Sequence, residues 1–135
     1  MNTDVLSRLS GEHDTLLPII VEIQAAAESR DSVALIDELA AGRAALTQEL
    51  DAHIVLEEEV AFALIEPSVG EAIVTPFRTE HTEIRVLRDE VLSQVDAGVA
   101  PFDLCMQLCD LIQSHMQRED MMLFPSARDV LETEL

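Results

Sequence analysis

HIVLEEEVAF at 53–62 and HMQREDMMLF at 115–124 decide how this chain folds. Both stretches open on a histidine, carry a glutamate four residues on and end on a phenylalanine. Four residues is about one turn of an α-helix, so His53 shares a face with Glu57, and His115 with Glu119. Apolar residues extend each face in both directions at alternating spacings of three and four. The first seam reads Leu35, Leu39, Gly42, Leu46, Leu50, His53, Glu57, Val60, Leu64. The second reads Leu104, Leu108, Leu111, His115, Glu119, Met122. This register belongs to helices packed side by side, each burying one stripe.

Two shorter stretches complete the pattern. EHDTL at 12–16 lies on the seam Leu6, Leu9, His13, Leu16, Ile20. EHTEI at 80–84 lies on the seam Val74, Phe77, His81, Ile84, Leu87, Val91. One helical hairpin is therefore used twice, with a lone histidine on its first helix and His-x-x-x-Glu on its second. Breaks fall at Glu28–Ser32, Pro67–Gly70, Asp96–Pro101 and Pro125–Ser126. They place helices at roughly 3–28, 32–66, 71–96 and 101–124, with a short C-terminal helix from about 126. Loops this short join antiparallel neighbours. The expected fold is all-α: an up-down-up-down antiparallel four-helix bundle with a short C-terminal helix, one domain over residues 1–135. Gly42 on its seam predicts a close helix–helix approach, at about 1 kcal/mol of helix propensity. Pro18 predicts a local kink in the first helix.

Composition agrees. Nearly half of the residues are hydrophobic, mostly Leu, Val, Ile, Ala and Met; there are four Phe, no Trp and no Tyr. That is a helical rather than a β composition. A formal charge of −19 repels nucleic-acid backbones and anionic lipid, which sets both aside as partners. No stretch approaches ~18 uninterrupted apolar residues, so no membrane span is expected. The opening MNTDVLSRLSGEHD has no basic head or apolar block, so the expected compartment is the cytoplasm. Cys105 and Cys109, four apart, are no disulfide framework.

All four histidines of the chain, His13, His53, His81 and His115, fall on core seams, one per helix. One buried histidine is ordinary. Two buried glutamates at the same offset are not, because a carboxylate in an apolar core must pair, take up a proton or bind metal. Cations are too few to pair them. Imidazole plus carboxylate without thiolate suits iron, and also manganese or zinc. Four His and two Glu are more than one ion is expected to gather in a small bundle. They divide into His13/His53 and His81/His115, with Glu57 and Glu119 able to bridge ions about 3.5–4 Å apart. A single tetrahedral zinc would leave the glutamates unexplained.

Lone His, His-x-x-x-Glu, lone His, His-x-x-x-Glu on four helices resembles the hemerythrin-like (HHE cation-binding) family. The Leu-Phe-Pro that follows the second motif (123–125) is similar to that family too. The resemblance covers about residues 6 to 125. It implies two non-haem iron ions, oxo- or hydroxo-bridged, held by His13, His53, Glu57, His81, His115 and Glu119. It also implies a small-molecule partner, O2, hydrogen peroxide or nitric oxide, in oxidative or nitrosative stress response or sensing. Catalase-like or NO-handling turnover stands beside binding, and iron storage or a structural metal is the alternative. Oxygen-carrying members have a further histidine where this chain has Arg85, and a carboxylate five residues after the last histidine, which here is Asp120. Face and repeat favour Glu119, with Asp120 as the fallback.

Other residues carry smaller expectations. Arg85 either faces solvent or points at the site. Cys105 and Cys109 are expected to fill core, with a redox pair as the alternative, and Met116, Met121 and Met122 likewise, with sacrificial oxidation sites as the alternative. Glu12, Glu58, Glu59 and Glu80 are candidates for bonding the outer ring nitrogens, or else solvated.

Overall fold

The computed structural model describes residues 4–133, and every element among them is helical. Helix α1 (Asp4–Glu28) runs unbroken through Pro18, whose missing bond falls at Asp14 on the exposed side, where water can take the carbonyl. The chain turns at Arg30, which takes a positive φ of 58°. Asp31 then caps α2 (Ser32–Ala41), accepting from the Val33 and Ala34 amides at 3.0 and 3.1 Å. After a turn at Gly42 the run continues as a π turn (Ala45–Glu49), α3 (Leu50–Leu56), a second π turn (Glu57–Phe62) and α4 (Ala63–Val69). Gly70, at φ 99°, separates it from α5 (Glu71–Asp96). The last run is α6 (Phe102–Arg118), a third π turn (Glu119–Leu123) and α7 (Phe124–Thr133). No described helix is long and apolar enough to cross a membrane.

The break expected at Pro67–Gly70 falls at its last residue, and the one expected at Pro125–Ser126 is absent. α4 carries Pro67 and stops only at Gly70, and α7 carries Pro125. Proline clashes with the carbonyl one α-turn back, and a π turn lies just before each of these two. The extra residue in that turn widens the backbone there. The same turns correct two seam positions. Val60 is 47% and Met122 63% exposed, while Ala61, Phe62, Leu123 and Phe124 are buried. Each π turn inserts one residue, so the face that leads up to Glu57 or Glu119 resumes one position late.

α1 packs along α2 and α6, α5 along α6 and α4, and α4 against α7. At Gly42 an added Cβ would stand 3.0 Å from the Ile23 side chain and 3.3 Å from Ile19, which is the close approach to α1 expected there. The apolar interior is in two parts. One joins Leu16, Ile20 and Ile23 to Leu50, Ile54, Ile84, Ile112 and Met116. The other joins Leu6 and Leu9 to Phe62, Ile65, Val74, Phe77, Leu123 and Phe124. His13 lies in sequence between Leu9 and Leu16, and His81 between Phe77 and Ile84, so each histidine occupies the level where one part gives way to the other.

One buried cation braces this packing. Arg88 donates to Asp51 Oδ1 at 2.5 Å, to Asp89 at 2.9 Å and to the Leu46 carbonyl, inside the first π turn, at 3.3 Å. Arg88→Met should lower the unfolding free energy by about 1–3 kcal/mol, seen as a lower urea midpoint at unchanged slope.

Candidate metal centre

Six residues meet between the two apolar parts: His13 from α1, His53 from α3, His81 from α5, His115 from α6, and Glu57 and Glu119 from the first residues of two π turns. All six are buried. Their ligand atoms form two overlapping groups, each within 4.8 Å: His13, His53, Glu57, Glu119 and Glu57, His81, His115, Glu119. The division expected from sequence is the one found. Glu57 spans it, with Oε1 at 2.9 Å from His81 Nε2 and 3.5 Å from His115 Nε2, and Oε2 at 3.2 Å from His53 Nε2. Glu119 Oε1 lies 3.3 Å from His13 Nε2 and 3.2 Å from His115 Nε2.

The outer nitrogen of every ring meets a carboxylate. His13 Nδ1 donates to Asp120 (2.9 Å), His53 to Glu12 (2.8 Å), His81 to Glu58 (2.6 Å) and His115 to Glu80 (2.8 Å). A carboxylate accepts, so with a proton held on each Nδ1 by its outer partner, each Nε2 is the nitrogen left to offer a lone pair to a metal ion. His13 Nε2 and His53 Nε2 stand 3.0 Å apart, a spacing that a shared proton or a bound cation satisfies. Two nitrogens about 2.1 Å from one ion and at right angles would stand about 3.0 Å from each other. Glu57 Oε2, both Glu119 oxygens and His115 Nε2 are buried without a hydrogen-bond partner among the described residues. Unsatisfied buried donors and acceptors are costly, and here they all point into one small volume. The residues could hold a metal ion.

Titration reflects the crowding. Burial and the Glu57 charge push the Glu119 carboxyl well above its usual range, so the metal-free pair keeps a proton. Burial opposes ionisation of Glu57 as well, but bonds from Glu119 and the histidines hold it well below that range. Burial would lower the His13 and His53 values. Glu119 and Asp120 raise the first, and Glu57 and Glu12 the second, above the ordinary value.

The π turns place the aromatic wall. Phe62 and Phe124 each follow a ligand glutamate by five residues, the repeat of a π turn rather than an α turn. Phe62 stacks on His81 at 5.6 Å and Phe124 on His13 at 6.1 Å, and Phe77 meets His115 edge-on at 5.5 Å. Sequence reasoning did not assign these phenylalanines. The signal was present, since both quoted stretches end on Phe at the same offset.

Of the remaining candidates, Glu12, Glu58 and Glu80 do bond the outer nitrogens, and Glu59 is exposed. Asp120 serves His13 Nδ1 and accepts from Ser10 Oγ at 2.8 Å, outside both ligand groups. Arg85 is half-buried and faces Asp51 at 3.8 Å. Cys105, Cys109 and Met116 are buried in the first apolar part, whereas Met121 and Met122 are exposed. Asp120→Asn should weaken metal binding about 10–100-fold, and Glu119→Ala should weaken it further, in competition against a chelator. The reverse order would make Asp120 the ligand.

Comparison with protein-family models, with curated proteins and with solved structures finds no match.

Proposed function

We propose that the chain is a hemerythrin-like four-helix bundle, up-down-up-down, that holds two non-haem irons and binds or reacts with O2, hydrogen peroxide or nitric oxide. The convergence of four Nε2 atoms and two carboxylates into two overlapping groups carries this reading. Charge supports the number. Six carboxylates at and around the site face two arginines, Arg8 on Glu12 and Arg118 on Glu80, leaving an excess of four negative charges that two divalent ions would cancel. Donor chemistry supports the metal, since imidazole with carboxylate and no thiolate suits iron.

His13, His53, His81, His115, Glu57 and Glu119 would hold the ions, which would supply redox change and positions for a small ligand. Each group has four residues, so an ion bound through one atom of each would keep positions open relative to the six of an octahedral ion. Asp120, Glu12, Glu58 and Glu80 fix the imidazole planes and raise their basicity. Phe62, Phe77 and Phe124 keep water from one side.

Metal analysis and a near-ultraviolet spectrum of aerobically purified protein test the reading, with little background because Trp and Tyr are absent. Two irons per chain and a spectrum that changes with hydrogen peroxide are expected. Oxygen evolved from peroxide would mark turnover, and a spectral change without it would mark binding or sensing. Iron held without response to any of the three molecules would make the site a store or a structural centre. One zinc or no metal after anaerobic iron loading would overturn the reading.

A further inference from the structure

The two halves of the centre are built alike but closed differently. On the second half, His115 donates to Glu80, and Arg118 bonds the other Glu80 oxygen, bonds Ser114 Oγ at 3.3 Å and lies over the Phe77 ring at 5.7 Å. On the first half, His53 donates to Glu12, and Arg8 meets the other Glu12 oxygen at 3.3 Å. The side chains there are looser: Arg8 is 68% exposed against 36% for Arg118, and Glu12 33% against 18% for Glu80. Beside Glu12 lies a cavity of about 450 Å³ whose wall includes Arg8, Gly11, Glu49, Ala52 and the ligand His53 itself.

The repeat differs at this wall. Aligning EHDTL on EHTEI sets Thr79 against Gly11, and aligning the two His-x-x-x-Glu stretches sets Ser114 against Ala52. The first half thus carries the smaller residue at both positions. A Cβ added at Gly11 would meet nothing within 4 Å, so this wall borders open space.

We propose that this cavity is the port through which a small neutral oxidant reaches the metal pair, from the His53 side. This rests on the function proposed above. A space of this size does not sort small molecules by volume, since a water takes about 30 Å³. Charge sorts them. Glu12 and Glu49 outweigh Arg8 at the wall, and the chain as a whole carries −19, so anions are turned away while O2, hydrogen peroxide and nitric oxide pass.

The first test needs no redox chemistry. Dissolved O2 is paramagnetic and broadens NMR signals of the groups it visits. In the full chain, metal-free or zinc-loaded, broadening at Ala52 and the His53 ring should exceed that at Ser114 and the His115 ring several-fold. Gly11→Leu should abolish the excess and Thr79→Leu should leave it. Equal broadening in the two halves, or an excess that survives Gly11→Leu, overturns the port. The second test follows oxidation of reduced, iron-loaded protein by hydrogen peroxide. Gly11→Leu should slow it at least tenfold at unchanged iron content, and Thr79→Leu should not. Equal rates in all three proteins would overturn the port and leave the proposed function standing. An iron-loaded wild type inert to oxidants, with the broadening asymmetry intact, would sink the function and keep the port.

Discussion

Glu57→Ala should empty both metal positions together, whereas His13→Ala should leave the His81/His115 position partly filled. The difference follows from reach. His13 belongs to one ligand group, while the two Glu57 oxygens meet His53 on one side and His81 and His115 on the other. Loss of a single outer partner of a metal-bound histidine costs about 10–100-fold in affinity, and loss of a shared ligand should exceed about 100-fold at both positions. Metal content after dialysis against a weak chelator reads this directly, with helical circular dichroism as the control for folding. Equal losses in the two variants would mean that Glu57 serves one ion only.

Chelation should cost the wild type about 4 kcal/mol when free metal had stood a thousandfold above its dissociation constant, about 15 °C in melting midpoint for a chain of this size. The loss should grow with pH. Glu119 has a folded-state value raised by burial and by Glu57, and His13 and His53 are raised by their carboxylates against the opposing effect of burial. A raised group stabilises the fold fully below its unfolded-state value and loses that contribution as pH climbs through the folded one. Metal-free protein should therefore weaken as pH rises above 6.5, the unshifted histidine value. Metal-bound protein goes the other way, because ligands must shed protons to bind. The gap between metal-bound and metal-free melting points should widen from about pH 6 to 8. A gap that narrows would show that protons and metal do not compete for these six side chains.

Much of this was legible in the sequence. Helical character, the six buried His and Glu side chains and their division into two groups all follow from one periodicity interrupted by residues that an apolar face cannot hold unpaired. Glu57 and Glu119 sit one turn after histidines, and that local geometry is fixed by the helix alone. Three of the four outer carboxylates were candidates for the same reason, lying beside a ligand in EHDTL, EHTEI and HIVLEEEVAF.

Pairing across helices was not legible. Glu12 adjoins His13 yet bonds His53, and Glu80 adjoins His81 yet bonds His115, because neighbours on one helix point in different directions and the partner comes from the next helix. Asp120 could not be told from a ligand until Ser10 and His13 were placed around it.

By itself the sequence determined the inward face as far as Glu57 and Glu119, because the 3.6-residue repeat and the cost of burying charge act locally. Tertiary structure alone decided the two π turns at Glu57 and Glu119, which a uniform repeat cannot foresee. Each adds one residue to its turn, sends Val60 or Met122 outward, and brings Phe62 or Phe124 onto the ring of a histidine from another helix. Such a turn gives up regular helix geometry, and only contacts made across helices can offset that.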